Sequence, residues 1–154
     1  MRILGLCLFL ALFLSDSFAK GIVPCVSSRS DVEKLLGKDE IPHEEPVGTY
    51  HRGKDRVYID YYSSSSSKLK QVVRTILVYP YREISFRKYT MRLSNFSTTF
   101  AKVTLDPYVT HIGYLAHYKN NSEGFEIVTQ MNDEDVEIIT AFMYYGKESD
   151  CSRR

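Results

Sequence analysis

From Val47 to Tyr145 the chain alternates apolar with polar residues, and turn-forming clusters interrupt the alternation at intervals of roughly ten residues. Few patterns restrict a fold more. Successive side chains leave a strand on opposite faces, so period two calls for half-buried strands and excludes helices over most of this length. The run "DRVYIDYY" sets Val57, Ile59 and Tyr61 on one face and Tyr58, Asp60 and Tyr62 on the other. "QVVRTILVYPY" is the strongest strand, rich in β-branched and aromatic residues, and Pro80 marks its end or an edge.

Further strands are expected along the chain. In "EISFRKYTMRL", Ile84 and Phe86 are out of phase with Tyr89, Met91 and Leu93, which calls for a bulge around Arg87-Lys88 or two short strands. "TTFAKVTL", "YVTHIGYLAHYK", "FEIVTQM" and "VEIITAFMYY" complete the set, with "KNNSEG" and "NDED" as turns. The spacing predicts roughly seven or eight strands in an all-β domain. Short turns between them favour an antiparallel meander β-barrel, with a β-sandwich as the alternative. One short helix precedes the strands. Ser30 and Glu33 form a capping-box pattern, Val32, Leu35 and Leu36 offer an apolar stripe, and Gly37 stops it. Ser63 to Ser67 read as a solvated loop.

Residues 1–19 fit a secretory signal peptide. Arg2 supplies the positive start, Ile3 to Leu14 the apolar segment and Ser17-Phe18-Ala19 the cleavage site. The remainder, 20–154, is long enough for one secreted, extracellular domain. No apolar run reaches the length of a membrane helix. Cleavage removes Cys7 and leaves Cys25 and Cys151 near the two ends. In an oxidising compartment that pair reads as a disulfide, worth at most about 4–5 kcal/mol in the chain-entropy model. Free thiols or an intermolecular bridge are the rival readings. Two N-glycosylation sequons, at Asn95 and Asn120, fall where loops are expected.

Formal net charge is +1, with acids and bases interspersed, so neither nucleic acid nor an anionic membrane is the expected partner. Catalytic patterns are missing. There is no G-x-S-x-G elbow, no phosphate-cradling glycine loop and no EF-hand spacing in "NDED". His111 and His117 share a strand face but lie roughly 20 Å apart, too far to share a metal ion. His43 in "IPHEEP" fits no metalloprotease motif. The expectation is a binding protein without catalytic residues, metal or cofactor.

The unusual residue is tyrosine: 12 in the chain, with eight phenylalanines and no tryptophan. Its apolar body and polar tip suit a core edge, a binding surface or a half-polar cavity. If Val57 and Ile59 face the core, Asp60 points at water. In a ligand-holding barrel the faces invert, and Asp60 then needs a partner such as a ligand amine, Arg74 or Lys102. The candidate ligand-binding residues are Tyr58, Asp60 and Tyr62, joined by Tyr114 and Phe142 from later strands.

The layout of a signal peptide, a short helix, meandering strands and a late cysteine resembles the lipocalins found in the saliva of blood-feeding arthropods. "VGTYHRG" is similar to that family's G-x-W first-strand motif, with Tyr50 where tryptophan stands, and "DRVYIDYYS" to an early strand of the tick branch. The resemblance implies a calyx that sequesters a small amine or lipid mediator. The alternative is a secreted domain that binds an extracellular protein, such as a protease, cytokine or complement component, through tyrosines and loops.

Overall fold

The computed structural model describes residues 21–40, 46–62, 71–93, 95–104 and 115–145. The signal segment, Tyr114, Cys151, His43, His111 and the serine run lie outside them.

Helix α1, Arg29–Leu36, begins two residues earlier than Ser30 would set it. Ser28 is the N-cap, and its side chain and that of Asp31 cap each other's backbone. Ser28 Oγ also donates to Asp31 Oδ2 at 2.7 Å, and these bonds hold the Asp31 carboxyl below its usual range. Gly37, at positive φ, ends the helix with its N–H on the Glu33 carbonyl. Val32 is its buried residue.

The strands are β1 (Val47–Arg52), β2 (Asp55–Tyr61), β3 (Val73–Tyr79), β4 (Ile84–Ser85), β5 (Ala101–Thr104), β6 (Leu115–Asn120), β7 (Phe125–Met131) and β8 (Glu137–Tyr145). All pair antiparallel in a single sheet ordered β1-β2-β3-β8-β7-β6-β5, with β4 also on β8. The all-β expectation holds at this level. The closed barrel does not, nor does the two-sheet sandwich or the simple meander. Strand β8 returns to occupy the slot beside β3, which sends β5 to the far edge. At the other edge, β1 is already engaged. The Thr49 N–H donates to Asp39 Oδ1, and its carbonyl accepts from Glu40 N–H, each at 2.9 Å.

A second correction concerns "EISFRKYTMRL", where the expected strand gives way to helix α2, Phe86–Thr90. The phase slip is a change of period. Phe86, Tyr89 and Leu93 follow helical spacing, Ser85 caps the first turn, and Phe86 and Tyr89 are buried. Likewise "TTFAKVTL" opens on helix α3, Phe96–Thr99, which brings the Phe96 and Phe100 rings into a stack at 4.7 Å.

One face of the sheet carries the core. Tyr50, Val57, Val78, Phe142, Ile127 and Tyr118 lie opposite one another from β1 across to β6. The short helices cover this face. The Phe86 ring stacks on Tyr118 at 4.3 Å, Tyr89 lies 5.4 Å from Phe142, and Phe100 meets Phe125 edge-on at 5.9 Å. The opposite, outer face differs along its width. On β2 and β3 it is partly or fully exposed, whereas Thr49, Glu126, Val128 and Ala141 are buried.

Candidate functional site

The outer face of β1 to β3 is built by register. The β1–β2 hairpin turns on Gly53-Lys54, with Arg52 opposite Asp55 and Gly53 at positive φ, as such two-residue turns require. That pairing lines up His51, Arg56 and Tyr79 in one row and Thr49, Tyr58 and Leu77 in the next. Pro80 has no N–H to continue the ladder, so the chain leaves β8 after Val78 and rejoins it at Ile84. The excursion is pinned where Tyr81 N–H donates to Asp55 Oδ1 at 2.8 Å.

These elements enclose an open cleft of ≈ 840 Å³, lined by His51, Gly53, Lys54, Arg56, Tyr58, Tyr79, Pro80 and Tyr81. Tyr58 and Tyr79 meet edge to face at 5.5 Å, and the Lys54 ammonium lies 5.0 Å from the centre of the Tyr81 ring. Arg56 Nη1 donates to the Tyr58 hydroxyl at 3.4 Å. Tyr79 is 41% exposed and Tyr81 65%, a large aromatic area to leave in water. Partial burial, and then the neighbouring Tyr58 phenol, raise the Tyr79 pKa above the ordinary phenol value. His51 Nε2 is 3.4 Å from Glu40 Oε2.

The structure does not gather the five residues singled out from sequence. Tyr58 belongs to the cleft. Asp60 lies on the same outer face, where Arg74 Nε donates to its Oδ2 at 2.6 Å and Arg74 Nη2 adds a second contact. Arg74 is therefore the partner its carboxylate finds. The Tyr62 hydroxyl lies 3.5 Å from the sulfur of Cys25, which is wholly buried. Phe142 is 1% exposed, with Tyr89 and Phe125 against it on the core face. Tyr114 lies outside the described residues. Sequence reasoning missed His51, Lys54, Arg56, Tyr79 and Tyr81. The signal that could have found them is Gly53-Lys54 between two alternating runs, which fixes the register, together with Pro80 flanked by tyrosines.

Elsewhere on the outer face, buried Glu126 contacts His117 Nδ1 and lies 3.6 Å from Lys119 Nζ. Across the sheet, Glu137 accepts from Tyr118 and Thr129 at 2.9 and 2.7 Å. Among the described residues, no group of three or more His, Cys, Asp or Glu side chains could hold a metal ion, and no helix is long and apolar enough to cross a membrane.

No family model and no curated protein matches the chain. Among solved structures it is similar to the crystal structure of YjgB, a DUF4309 family protein from Bacillus subtilis. The TM-score is 0.53 at 12% identity, over 82% of this chain and 84% of that one, a likeness of fold alone.

Proposed function

We propose that this chain is a secreted, non-enzymatic domain that binds an extracellular protein through the outer face of β1 to β3. One observation carries the reading: Tyr58, Tyr79 and Tyr81 surround an open cleft rimmed by Lys54 and Arg56. Tyrosine and arginine are the residue types that dominate protein-binding surfaces, because each joins a large contact area to hydrogen-bonding capacity at modest entropic cost. The lipocalin-like carrier reading depended on a closed barrel. Here the face that would line a calyx is packed by Phe86, Tyr89, Phe125 and Phe142.

In this reading residues 1–19 are removed on secretion, Cys25 pairs with Cys151, and Asn95 is the favoured glycan acceptor. Asn95 is exposed ahead of α3, whereas Asn120 is only 6% exposed and its Oδ1 accepts from Ser122 Oγ and Glu123 N–H. The test is an array of extracellular ectodomains probed with the secreted protein and with a Tyr79→Ser/Tyr81→Ser variant. A partner retained by the wild type and lost by the variant is expected, since truncating central aromatic anchors costs about 2 kcal/mol or more. Native mass spectra with a stoichiometric small molecule that the tyrosine substitutions leave in place would restore the carrier reading.

A further inference from the structure

We infer that the cleft takes an acidic segment of the partner, an extended stretch whose Asp or Glu side chains meet Lys54 and Arg56 while a neighbouring apolar side chain lies on Tyr79, Pro80 and Tyr81. This rests on the protein-binding reading above and names the chemistry of its partner. The argument is one of charge and shape. Among the described residues, no carboxylate lines the cleft. Two acids beside the lining residues have partners of their own: Asp55 accepts from the Tyr81 backbone, and Glu40 faces His51. Among the described residues, neither Lys54 nor Arg56 has an ion-pair partner, in contrast to Arg74 with Asp60 and Lys119 with Glu126.

Their aromatic contacts hold both cations at the rim without neutralising them. The Lys54 ammonium over Tyr81 and Arg56 beside the Tyr58 hydroxyl each keep N–H groups for an incoming carboxylate. The floor of tyrosine and proline favours an apolar neighbour next to the acid. A polyanion that follows a track of cations, such as a nucleic acid or a sulfated polysaccharide, fits less well. Two rim cations make no track, and the net charge of the whole chain is +1.

The test uses the full secreted chain and fluorescence polarisation with three probes: a labelled peptide alternating Glu and Leu, its Lys-for-Glu counterpart, and a labelled heparin fragment. The Glu peptide is expected to bind and the Lys peptide not. Kd for the Glu peptide should weaken at least ~10-fold in Lys54→Glu/Arg56→Glu, the loss of two partly exposed charge contacts plus repulsion. Lys54→Gln/Arg56→Gln should weaken it less, and its unchanged thermal midpoint would show that the fold is intact. The inference is overturned by equal binding of the Glu and Lys peptides, by no binding of the Glu peptide, or by binding indifferent to both variants. Heparin binding more tightly than the Glu peptide, with the same dependence on Lys54 and Arg56, overturns it in favour of a polysaccharide. If any of these occurs while array capture still depends on Tyr79 and Tyr81, only the acidic class fails. If capture is lost as well, the protein-binding reading fails with it.

Discussion

Tyr50 and Tyr61 meet hydroxyl to hydroxyl at 2.9 Å in the interior, with the Arg29 guanidinium 4.5 Å from the centre of the Tyr61 ring. Gly48 makes this possible. A Cβ there would come within 2.6–2.9 Å of the Tyr50 ring and hydroxyl, so the ring lies across the bare glycine. Gly48→Ala is expected to destabilise the domain by about 1–3 kcal/mol through overpacking, read as a lower urea midpoint at unchanged slope. Burial also sets an alkaline limit. It pushes the Tyr61, Tyr50 and Tyr118 phenols up, and it raises Tyr89 to about 12. An unfolded tyrosine ionises near pH ~10. Above that pH the unfolded chain gives up protons that the folded state still holds, so the stability slope is negative. The contribution is full below about pH 10 and is lost as pH rises toward 12 and beyond. Tyrosinate absorbance and loss of β-sheet circular dichroism should therefore rise together in that window, and Tyr89→Phe should delay both.

Helix α2 is only five residues long and cannot persist on propensity. It is held by what it buries. Phe86 touches Tyr118 and Phe96, and Tyr89 touches Phe142, so this one turn links the sheet to α3. Phe86→Ala is expected to cost roughly 3–5 kcal/mol, the range for truncating a buried phenylalanine, with the loss seen in chemical denaturation. Phe86→Leu should recover most of it. Period two was legible in β2 because it keeps one buried face, while β7, buried on both faces from Phe125 to Thr129, was legible as an apolar run bounded by turns, and the Pro80 stop and the "NDED" turn were legible too. The helices α2 and α3 were not. Five residues of helix and five of strand share too many apolar positions for periodicity to separate them, and the decision falls to the aromatic rings they meet across the sheet.

At the scale of the whole molecule, the single sheet ends on β1 and β5, and the proposed Cys25–Cys151 bridge would close a loop spanning nearly the entire domain. Cys25 is wholly buried, and its backbone N–H donates to the Val73 carbonyl at 2.7 Å, so its end of the bridge would be anchored on β3. Intact mass before and after reduction under denaturing conditions should report one intramolecular bridge. Cys25→Ser/Cys151→Ser is then expected to lose about 2–5 kcal/mol. An unchanged mass on reduction would remove the bridge from the proposal. The outer face belongs to this scale as well, since the cleft needs the β1–β2 hairpin, the end of β3 and the Tyr81 excursion together.

The amino-acid sequence by itself located most of the strands and turns, because these follow from local alternation and from glycine and proline chemistry, and it left open which strand faces point inward. It also put Val57 and Ile59 on the face opposite Asp60, as the fold has it, whereas Arg74 meets Asp60 on the outer face of an open sheet and not across a barrel, where it was one of three partners offered. Tertiary structure alone decided that β8 pairs with β3, that the sheet stays open, and that aromatic rings from α2 and α3 fill its inner face. Strand order depends on which distant edges meet, and an alternating pattern is the same whichever neighbour a strand takes. For that reason the candidates chosen from sequence were split between two faces. The cleft lined by Lys54, Arg56, Tyr79 and Tyr81 exists only through the pairing that brings them together.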